Sequence, residues 1–412
     1  MKLCFIADAR SPIAQNWISY FIQRGYEVHL ISSYPCEEDL LPVKSLHVVP
    51  VAFSQVAKVR VVSNQGGAHY RSLSRPLNSS IATRILGTLR HWVGPLDVFR
   101  FVSRVRGMIE KMQPDIVHAM RIPFEGIVAA EALKDVSVPV IISVWGNDFT
   151  LFAQRFHLIG ALTKRALKRA DALHTDCYRD AHIARHWGFS SRKLAIVVPG
   201  SGAVRTDVFC LNDTMLVPSR RWDIPQGVHV VLNPRGFRGY VRNDTFFRSI
   251  PLILSARSDV LFLGVSMEGH PVAERWIRRL GVEHAVRLLP SVRHNEMAEL
   301  FRLAHVVVSP SEHDGTPNTL LEAMACGCFP IAGDIESIRE WITHGVNGLL
   351  CDPNDPQSLA QAVLQALDDT ELRQNAREYN LRLITERADY REVMTKAEQF
   401  YREVLKSVTR IR

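Results

Sequence analysis

Short apolar runs alternate with helical patterns along both halves of this chain of 412 residues. The runs that predict strands in the first half are 2–7, 27–31, 47–51, 115–119, 140–144, 172–175 and 194–198. Those in the second half are 228–233, 260–265, 285–289, 306–309 and 329–332. Alternation of strands and helices over this length is typical of parallel sheets that helices cover on both faces. The sequence therefore predicts an α/β fold with two Rossmann-like units.

Length and composition narrow the class of protein further. The chain is too long for one ordinary core and suits two domains. Its residues are 47% hydrophobic and 22% charged, as in globular proteins, and no apolar run approaches the ~18 residues that span a bilayer. The seven cysteines are odd in number and scattered, and Cys326 and Cys328 have no second ligand pair nearby. This pattern argues against a zinc site and favours a reducing cytoplasm.

The stretch 309–333 reads SPSEHDGTPNTLLEAMACGCFPIAG and predicts a loop, one helix and a short apolar strand. We predict that Thr316 is the N-cap and that Pro317 occupies the first helical position, where a missing N–H costs nothing. Gly327 would end the helix. A helix start of this kind suits a phosphate, because its free N–H groups and its dipole attract negative charge.

The predicted helix start places N–H donors and carboxylates close together. The N–H groups of Asn318, Thr319 and Leu320 would point out of the helix and could hold a phosphate. Asp314 precedes the helix and Glu322 lies in its second turn, eight positions further on. A carboxylate beside bound phosphate is costly unless it faces a sugar or ribose hydroxyl. The plain alternative is a surface helix with Asp314 as a cap and Glu322 exposed.

Polar and aromatic residues fall at the ends of predicted strands in the first half, where parallel sheets bind their ligands. They are Asp8, Ser11, His118, Trp145, Asn147 and Asp148. Trp145 would either stack on a sugar face or pack in the core. His118 is either a catalytic residue or a buried histidine with its hydrogen bonds satisfied. Asp148 has the stronger case, because Gly146 lets the backbone turn and expose it.

One segment carries as much net charge as the whole chain. Residues 58–106 include nine Lys or Arg residues and one acid, so their charge is 9 − 1 = +8, equal to 50 − 42 = +8 for the chain. Apolar and aromatic residues are mixed with these arginines over two predicted helices, 81–96 and 98–108. The mixture suits an anionic membrane surface or a phosphorylated acceptor. A pair of helices with solvated arginines is the alternative, and nucleic acid is disfavoured because no recognition motif accompanies the charge.

From Ser309 onward the residues read Ser-x4-Asp-Gly-x-Pro-Asn-x2-Leu-Glu-Ala-Met-Ala-x-Gly-x2-Pro-Ile. This pattern resembles the E-x7-E signature of the family-four retaining glycosyltransferases, or group 1 glycosyltransferases, which have the GT-B fold. The resemblance implies two Rossmann-like domains that face each other across a cleft. It also implies that Asp314 lies near the donor sugar, that Glu322 binds the ribose, and that Gly315 with the helix start holds the diphosphate. Asp314 departs from the usual Glu, whereas Glu322 matches.

The resemblance extends to the end of the predicted strand 228–233. Family members place an Arg and a Lys close together there to hold the donor diphosphate. This stretch has no lysine; Arg235 best matches the arginine, and either Arg238 or Arg242 stands in for the lysine. Fixed cations suit this place because a nucleoside diphosphate leaving group gains charge in the transition state. The sequence has no GxGxxG fingerprint, which disfavours a nicotinamide enzyme.

The first half departs from the family at two positions. Ile13 stands where the acceptor-side loop of the family has a histidine, and Trp145 replaces the histidine of a His-Gly-x-Asp turn. With the change at Asp314, these departures support one alternative to an enzyme, a sugar-nucleotide-binding subunit without turnover. A sugar-nucleotide epimerase of the same fold is a second alternative, which would need an added acid–base set that the sequence does not offer.

The resemblance predicts a retaining GT-B glycosyltransferase without a cofactor. It would move a sugar from a nucleotide-diphosphate donor to a hydroxyl of a glycan or lipid-linked acceptor, such as a glycolipid, lipopolysaccharide or polysaccharide precursor. Catalysis is assigned to Asp314, Arg235 and Asp148. Because the sequence has no Asp-x-Asp motif, we expect arginines and helix N–H groups to act in place of a metal ion.

The same resemblance predicts how the chain is divided and where it works. Residues 1–205 would bind the acceptor and residues 206–389 the nucleotide sugar, while residues 390–412 would form a helix that returns to the first domain. The expected location is the cytoplasm, with peripheral attachment at the inner face of the membrane through residues 58–106. We expect no nucleic acid partner.

Overall fold

The computed structural model describes residues 1–37, 39–54, 90–200, 202–211, 222 and 224–409, together with the backbone of 59–62 and 68–71. The chain divides into two compact units, which we call unit 1 (Met1–Gly202 with Met394–Arg412) and unit 2 (Ala203–Val393). Each unit is built on a parallel sheet of its own.

Unit 1 contains a parallel sheet of seven strands and a separate antiparallel pair, β4 and β5. The strands are β1 (Lys2–Ala7), β2 (Glu27–Ser32), β3 (Ser45–Val48), β4 (Val59–Val62), β5 (Ala68–Arg71), β6 (Ile116–Ala119), β7 (Val140–Val144), β8 (Ala172–Thr175) and β9 (Leu194–Val197). The order in the large sheet is β3-β2-β1-β6-β7-β8-β9. Strands β6, β7 and β8 are buried along their whole length, which is why they are mostly apolar; their polar residues His118, Ser143 and His174 are buried as well.

Helices connect these strands. They are α1 (Pro12–Gln23), α2 (Gly94–Asp97), a 3-10 turn (Val98–Phe101), α3 (Val102–Met112), an irregular turn (Ile122–Gly126), α4 (Ile127–Ala132), a wide turn (Asp148–Ala153), α5 (His157–Arg169) and α6 (Tyr178–His186). Helix α1 shows why the sequence folds locally as it does. The hydroxyl of Ser11 caps its start by accepting the N–H of Ala14, and Trp17, Ile18 and Phe21 form its buried side.

Unit 2 contains a parallel sheet of six strands. They are β10 (His229–Asn233), β11 (Val260–Val265), β12 (Val286–Leu289), β13 (Val306–Ser309), β14 (Phe329–Gly333) and β15 (Leu349–Cys351), in the order β12-β11-β10-β13-β14-β15. The sequence predicts the first five. It misses β15 because three residues are too few for a periodic signal.

The helices after residue 240 are on average longer than those before it, and fewer irregular turns lie between them. They are α7 (Asn243–Ala256), α8 (Pro271–Leu280), a 3-10 turn (Glu283–Ala285), α9 (His294–Leu303), α10 (Asn318–Ala325), α11 (Glu336–Arg339), α12 (Pro356–Asp368), α13 (Thr370–Arg387) and α14 (Tyr390–Thr409). Helix α10 begins one residue later than predicted, with Pro317 at the N-cap. The prediction of Thr316 as the cap is wrong: its hydroxyl accepts the indole N–H of Trp341 at 3.0 Å.

The second half of α14 completes the core of unit 1. Tyr401 is buried against α1, and its hydroxyl accepts the indole N–H of Trp17 at 3.0 Å. The carboxylate of Glu398 accepts hydrogen bonds from the hydroxyls of Tyr20 and Tyr26, at 2.9 and 2.5 Å. Residues from the two ends of the sequence therefore share one core.

The strand order of each sheet reverses at one point. In unit 1 the central β1 lies between β2 and β6, and in unit 2 the central β10 lies between β11 and β13. The carboxyl ends of two neighbouring strands diverge there, which leaves a crevice where sheets of this class bind ligands. The predicted fold, two parallel-sheet Rossmann-like units, is confirmed. Within the described part of the chain, no helix has both the length and the apolarity needed for a membrane span.

Candidate functional site

The crevice of unit 2 lies between the loops that follow β10 and β13. Arg235 comes two residues after β10, and Ser311 and Asp314 come soon after β13. The glycine that follows Arg235 helps the chain to turn there: Gly236 has φ +60°, and an added Cβ would lie 3.2 Å from the Cβ of Ser266. Parallel pairing of the two strands thus brings together residues that are 79 positions apart.

Arg235 and Asp314 form an ion pair in this crevice. Their side chains are only 8% and 11% exposed. Nη1 of Arg235 also lies 3.4 Å from the hydroxyl of Ser311, and Asp314 accepts the N–H of Gly315 at 3.2 Å. Burial lowers the pKa of Arg235, but attraction to Asp314 outweighs it, so the pKa is raised. The sequence predicts separate contacts with the donor for these two residues and does not predict this pairing.

The two other arginines of the β10 loop differ in their partners. Arg242 donates to both oxygens of Asp244, at 3.0 and 2.8 Å, and to Glu312 at 3.3 Å. Arg238 is exposed and donates to the hydroxyl of Tyr240 at 3.3 Å. Among the described residues, no carboxylate forms an ion pair with Arg238. Of the two candidates for the missing lysine, Arg238 is therefore the one whose charge is not already balanced.

Helix α10 starts at the same edge of the sheet. The side-chain oxygen of Asn318 is buried and has no hydrogen-bond partner in the described structure. The prediction that the N–H of Leu320 is free is wrong, because it donates to the carbonyl of Pro317 at 2.9 Å. The tight first turn leaves the N–H groups of Asn318 and Thr319 as the donors available for an anion.

Glu322 lies in the second turn of α10. It is half-buried, and no described group donates a hydrogen bond to its carboxylate. Burial raises the pKa of Glu322 to about 7. A carboxyl group in apolar surroundings without a donor is costly to ionise, and a hydroxyl supplied by a ligand would lower that cost.

The crevice of unit 1 holds a second arginine–aspartate pair. Nε of Arg121, in the loop after β6, donates to Asp148 at 2.9 Å, and the N–H of Trp145 donates to the other carboxylate oxygen at 2.9 Å. Asp148 is fully buried, and burial raises its pKa even though Arg121 lowers it. The prediction that Gly146 exposes Asp148 is wrong, because the turn folds the carboxylate back onto its own loop.

Two polar groups beside this pair have no partner among the described residues. They are the indole N–H of Trp145 and the side-chain oxygen of Asn147, both buried. The guanidinium of Arg121 lies 5.8 Å from the centroid of the Trp145 ring. A donor and an acceptor left open next to an aromatic face fit a ligand that carries hydroxyl groups.

His118 and Ser11, the other predicted acceptor-side residues, have structural roles. One ring nitrogen of His118 bonds the hydroxyl of Tyr401, and the other bonds Ser143 at 2.7 Å, which in turn bonds His174 at 2.7 Å. Burial lowers the pKa of His118 well below its usual value. Ser11 caps α1. Because both nitrogens of His118 are engaged in the core, we leave it out of the candidate site.

Two family descriptions match separate parts of the chain. One, glycosyl transferase 4-like, matches residues 2–176, and the other, glycosyl transferases group 1, matches residues 244–382. The chain belongs to the family-four, group 1 glycosyltransferases. The group 1 match includes Asp314, Glu322 and the start of α10.

Curated relatives match this chain over only part of their own length. A D-inositol 3-phosphate glycosyltransferase of Thermobispora bispora is 28% identical over 160 residues, which are 36% of this chain and 37% of the relative. The chain spans less than half of the length of this and other curated relatives of the same description.

Solved structures share the fold over nearly the whole chain. Sucrose-phosphate synthase of Thermosynechococcus elongatus has a TM-score of 0.74 at 14% identity, covering 99% of this chain and 100% of that one. HepE of Anabaena, in complex with UDP, has a TM-score of 0.73 at 15% identity, covering 98% and 100%. These likenesses confirm the GT-B fold.

Sequence reasoning missed Glu125, which also lies in the crevice of unit 1. Glu125 is 3% exposed; one carboxylate oxygen accepts the hydroxyl of Ser33, and the other has no partner among the described residues. Burial raises its pKa to about 7, and Ser33, Arg121 and Arg90 lower it less. The available signal was a single acid among apolar residues directly after a predicted strand.

Arg90 was also missed as a member of this crevice. Its Nη1 donates to the carbonyls of Val51 and Ala52 at 3.2 and 2.6 Å. Its guanidinium lies 4.6 Å from the centroid of the Tyr34 ring and 4.4 Å from that of Phe124. The sequence places Arg90 only within the basic segment 58–106, of which 58, 63–67 and 72–89 lie outside the described residues.

One group in the described chain has the spacing of a metal site. Ligand atoms of Asp176, Cys177 and Asp180 lie within 4.8 Å of one another. Arg179 donates to Asp180 at 2.9 Å, and the N–H of Gly146 donates to Asp176 at 3.3 Å. Burial raises the pKa of the Cys177 thiol well above its usual value, whereas a metal ligand must be deprotonated. Because Arg179 already pairs with Asp180 and burial keeps the Cys177 thiol protonated, we assign no metal to this group.

Proposed function

We propose that this chain transfers a sugar from a nucleotide-diphosphate donor to a hydroxyl of a glycan or lipid-linked acceptor, with retention at the anomeric carbon. One observation carries the proposal: Arg235 and Asp314 pair at the edge of the sheet where α10, the helix that carries Glu322, begins. HepE, which shares the fold, has been solved with UDP-glucose, and this supports a nucleotide sugar as the donor.

The donor phosphates are assigned to Arg235, Arg238 and the N–H groups of Asn318 and Thr319. Fixed cations and N–H donors stabilise the charge that develops on a diphosphate leaving group. These groups would act where other enzymes use a metal ion. In the retaining mechanism that the resemblance implies, an oxygen of the leaving phosphate assists attack from the same face.

Glu322 is assigned to the ribose. Its carboxylate has no donor in the described structure, so two ribose hydroxyls would supply the hydrogen bonds that it lacks. Asp314 holds the guanidinium of Arg235 in place. Contact between Asp314 and the donor sugar is the role that the family resemblance implies, and it stays a prediction.

The acceptor is assigned to the crevice of unit 1. The open N–H of Trp145 and the open oxygen of Asn147 would bind acceptor hydroxyls, and Arg121 keeps Asp148 and its loop in position. A lipid-linked acceptor would place the protein at the cytoplasmic face of a membrane, where basic residues of 58–106 would meet anionic lipids.

A thermal-shift titration with UDP, GDP, ADP, CMP and TDP, with and without magnesium, tests the donor site. Ligand at about a hundred times its dissociation constant adds ~2.7 kcal/mol to stability, a shift that is easily measured. We expect a shift with one nucleotide, independent of magnesium and lost in Glu322→Ala and Arg235→Ala. Glu283→Ala is the matched control, an exposed acid before the edge strand β12 of the same unit.

Unchanged nucleotide affinity in both site variants would refute the site. Release of nucleotide from the matching nucleotide sugar, followed with and without a glycan acceptor, then separates an enzyme from a binding subunit. Tight binding without any release would favour the subunit.

A further inference from the structure

Unit 1 exposes four large apolar side chains within eight residues. They are Trp92, Val93, Leu96 and Phe99, with 55%, 41%, 54% and 40% of their surface exposed. They lie in and around α2, and the residues between them (94, 95, 97 and 98) are buried, so the four side chains are exposed on the outer side of this run. The other large apolar residues that are exposed in the described chain lie singly, far apart in sequence. A contiguous patch of this kind marks an interaction surface.

The opposite side of the same run is packed into unit 1. The ring of His91 stacks on Phe152 and Phe156, with centroid distances of 4.9 and 5.2 Å. Val98 and Val105 are completely buried. The run is therefore an amphipathic segment seated on the core. The Trp92 ring contacts Phe156 edge-on, with centroids 5.5 Å apart, and the four apolar side chains still keep 40–55% of their surface exposed.

The charges around the patch are basic. Arg100 and Arg104 follow Leu96 by four and eight positions, and both are exposed. The one acid between residues 58 and 106 is Asp97, whose side chain is only 6% exposed and pairs with Arg100. In the sequence, residues 58–89 directly precede this run and contain five basic residues and no acid. The patch thus combines an apolar centre with an excess of positive charge.

We propose that Trp92, Val93, Leu96 and Phe99 insert into the boundary between headgroups and acyl chains of an anionic lipid bilayer. Arg100 and Arg104 would then lie at the level of the lipid phosphates. Interfacial helices bind by this combination of a short apolar side and flanking cations, and tryptophan favours that boundary. The inference deepens the proposed function, since it names the surface on which a lipid-linked acceptor would be met, and it rests on that function only for its biological purpose.

Charge complementarity favours lipid over a second copy of the chain. Two copies that met through this patch would bring Arg100 and Arg104 of each into proximity, and like charges in a shared apolar interface are costly. An anionic bilayer supplies both the apolar phase and the opposite charge.

Sedimentation with lipid vesicles tests the proposal on the full chain. The probes are vesicles of phosphatidylcholine and vesicles with about one-third phosphatidylglycerol. We expect the wild type to bind the anionic vesicles at least about tenfold more tightly, with salt sensitivity. Trp92→Ser/Leu96→Ser/Phe99→Ser should weaken this binding at least about tenfold. Arg100→Gln/Arg104→Gln should remove most of the preference for the anionic vesicles.

A control variant removes the same number of exposed apolar side chains elsewhere. Leu252, Val272 and Tyr379 are 38%, 39% and 40% exposed in unit 2, and their triple change to Ser should leave vesicle binding unchanged. Circular dichroism melts verify that each variant folds. Absence of wild-type binding to anionic vesicles, or an equal loss in the control variant, would overturn the proposal.

Two further outcomes separate this inference from others. If the patch variant turns a dimer into a monomer and keeps its vesicle binding, the patch is a protein interface and the proposal is wrong. The nucleotide thermal shift should be the same in the patch variant and the wild type. Patch-dependent vesicle binding without any nucleotide shift would uphold this surface and reject the proposed function.

Discussion

The arginine–aspartate pairs of the two units look alike, but unit 1 buries only the aspartate of its pair, whereas unit 2 buries both partners. In unit 1, Asp148 is completely buried while the side chain of Arg121 is 37% exposed. In unit 2, both Arg235 and Asp314 are nearly buried, at 8% and 11%. Arg121 can therefore stabilise its loop and still face solvent. Arg235 needs a counter-charge at all times, which Asp314 supplies until an anion reaches the crevice.

Each unit also contains a glutamate with a raised pKa, and the two glutamates differ in their hydrogen bonds. Burial raises the pKa of both Glu125 and Glu322 to about 7. Glu125 already accepts one hydrogen bond from Ser33, whereas no described group donates to Glu322. We infer that Glu125 has a structural role in its crevice and that the carboxylate of Glu322 binds a ligand.

The largest expected effect comes from removing each arginine. Arg121→Met leaves Asp148 buried without its charge partner, so we expect the free energy of unfolding to fall by about 3–5 kcal/mol. Arg235→Met should cost somewhat less, because Asp314 is closer to solvent, and should abolish nucleotide binding, which Arg121→Met should keep. Urea unfolding and nucleotide titration measure both. Arg192→Met, at an exposed position, is the control. Equal losses of unfolding free energy in all three variants would contradict the expected role of the two ion pairs.

A smaller effect is expected at Glu125. Its pKa is about 7 in the folded chain and about 4.5 when unfolded, so the folded state keeps a proton that the unfolded state releases. Stability therefore falls as the pH rises between these values, and Glu125→Gln removes that loss. We expect a gain of about 3 kcal/mol near pH 8 and less than about 1 kcal/mol near pH 5. Urea unfolding at both pH values measures it, with exposed Glu37→Gln as the control; a gain independent of pH would contradict the assignment.

The smallest expected effect concerns Asp314, which is the counter-charge of Arg235 in unit 2. Asp314→Asn frees Arg235 for phosphate, so we expect UDP, or the nucleotide that the titration identifies, to bind about three- to tenfold more tightly. Asp148→Asn in unit 1 should leave that affinity unchanged. Calorimetric titration of both variants gives the comparison. Weaker binding by Asp314→Asn would mean that the carboxylate contacts the donor itself.

Much of the fold could be predicted from local signals. The strand at 2–7 was predicted at its observed bounds, because a strand buried in a parallel sheet is a continuous apolar run. Helix α13 was missed, since its hydrophobic residues show little helical periodicity. The start of α10 was misplaced by one residue because Trp341, 25 positions away, takes the hydroxyl of Thr316. Contacts between distant residues decide such details, and no local pattern reports them.

The sequence names residues of the candidate site but does not predict the bonds that they form. The pattern names Arg235, Asp314 and Glu322, and the structure pairs the first two at the edge where the helix of the third begins. The pairing of Arg235 with Asp314 depends on two strands that meet across 79 positions. The burial of Asp148 depends on the direction in which its own turn folds. Residue spacing therefore predicts neither the Arg235–Asp314 pair nor the burial of Asp148.

The contribution of α14 to unit 1 has a consequence for how the chain is made. Trp17 and Tyr20 are synthesised 384 and 378 residues before their partners Tyr401 and Glu398. Unit 2, from Ala203 to Val393, is complete before them. The segment Met1–Gly202 therefore acquires its full core only after all of unit 2 has been synthesised, and a stop codon shortly after Val393 would damage unit 1.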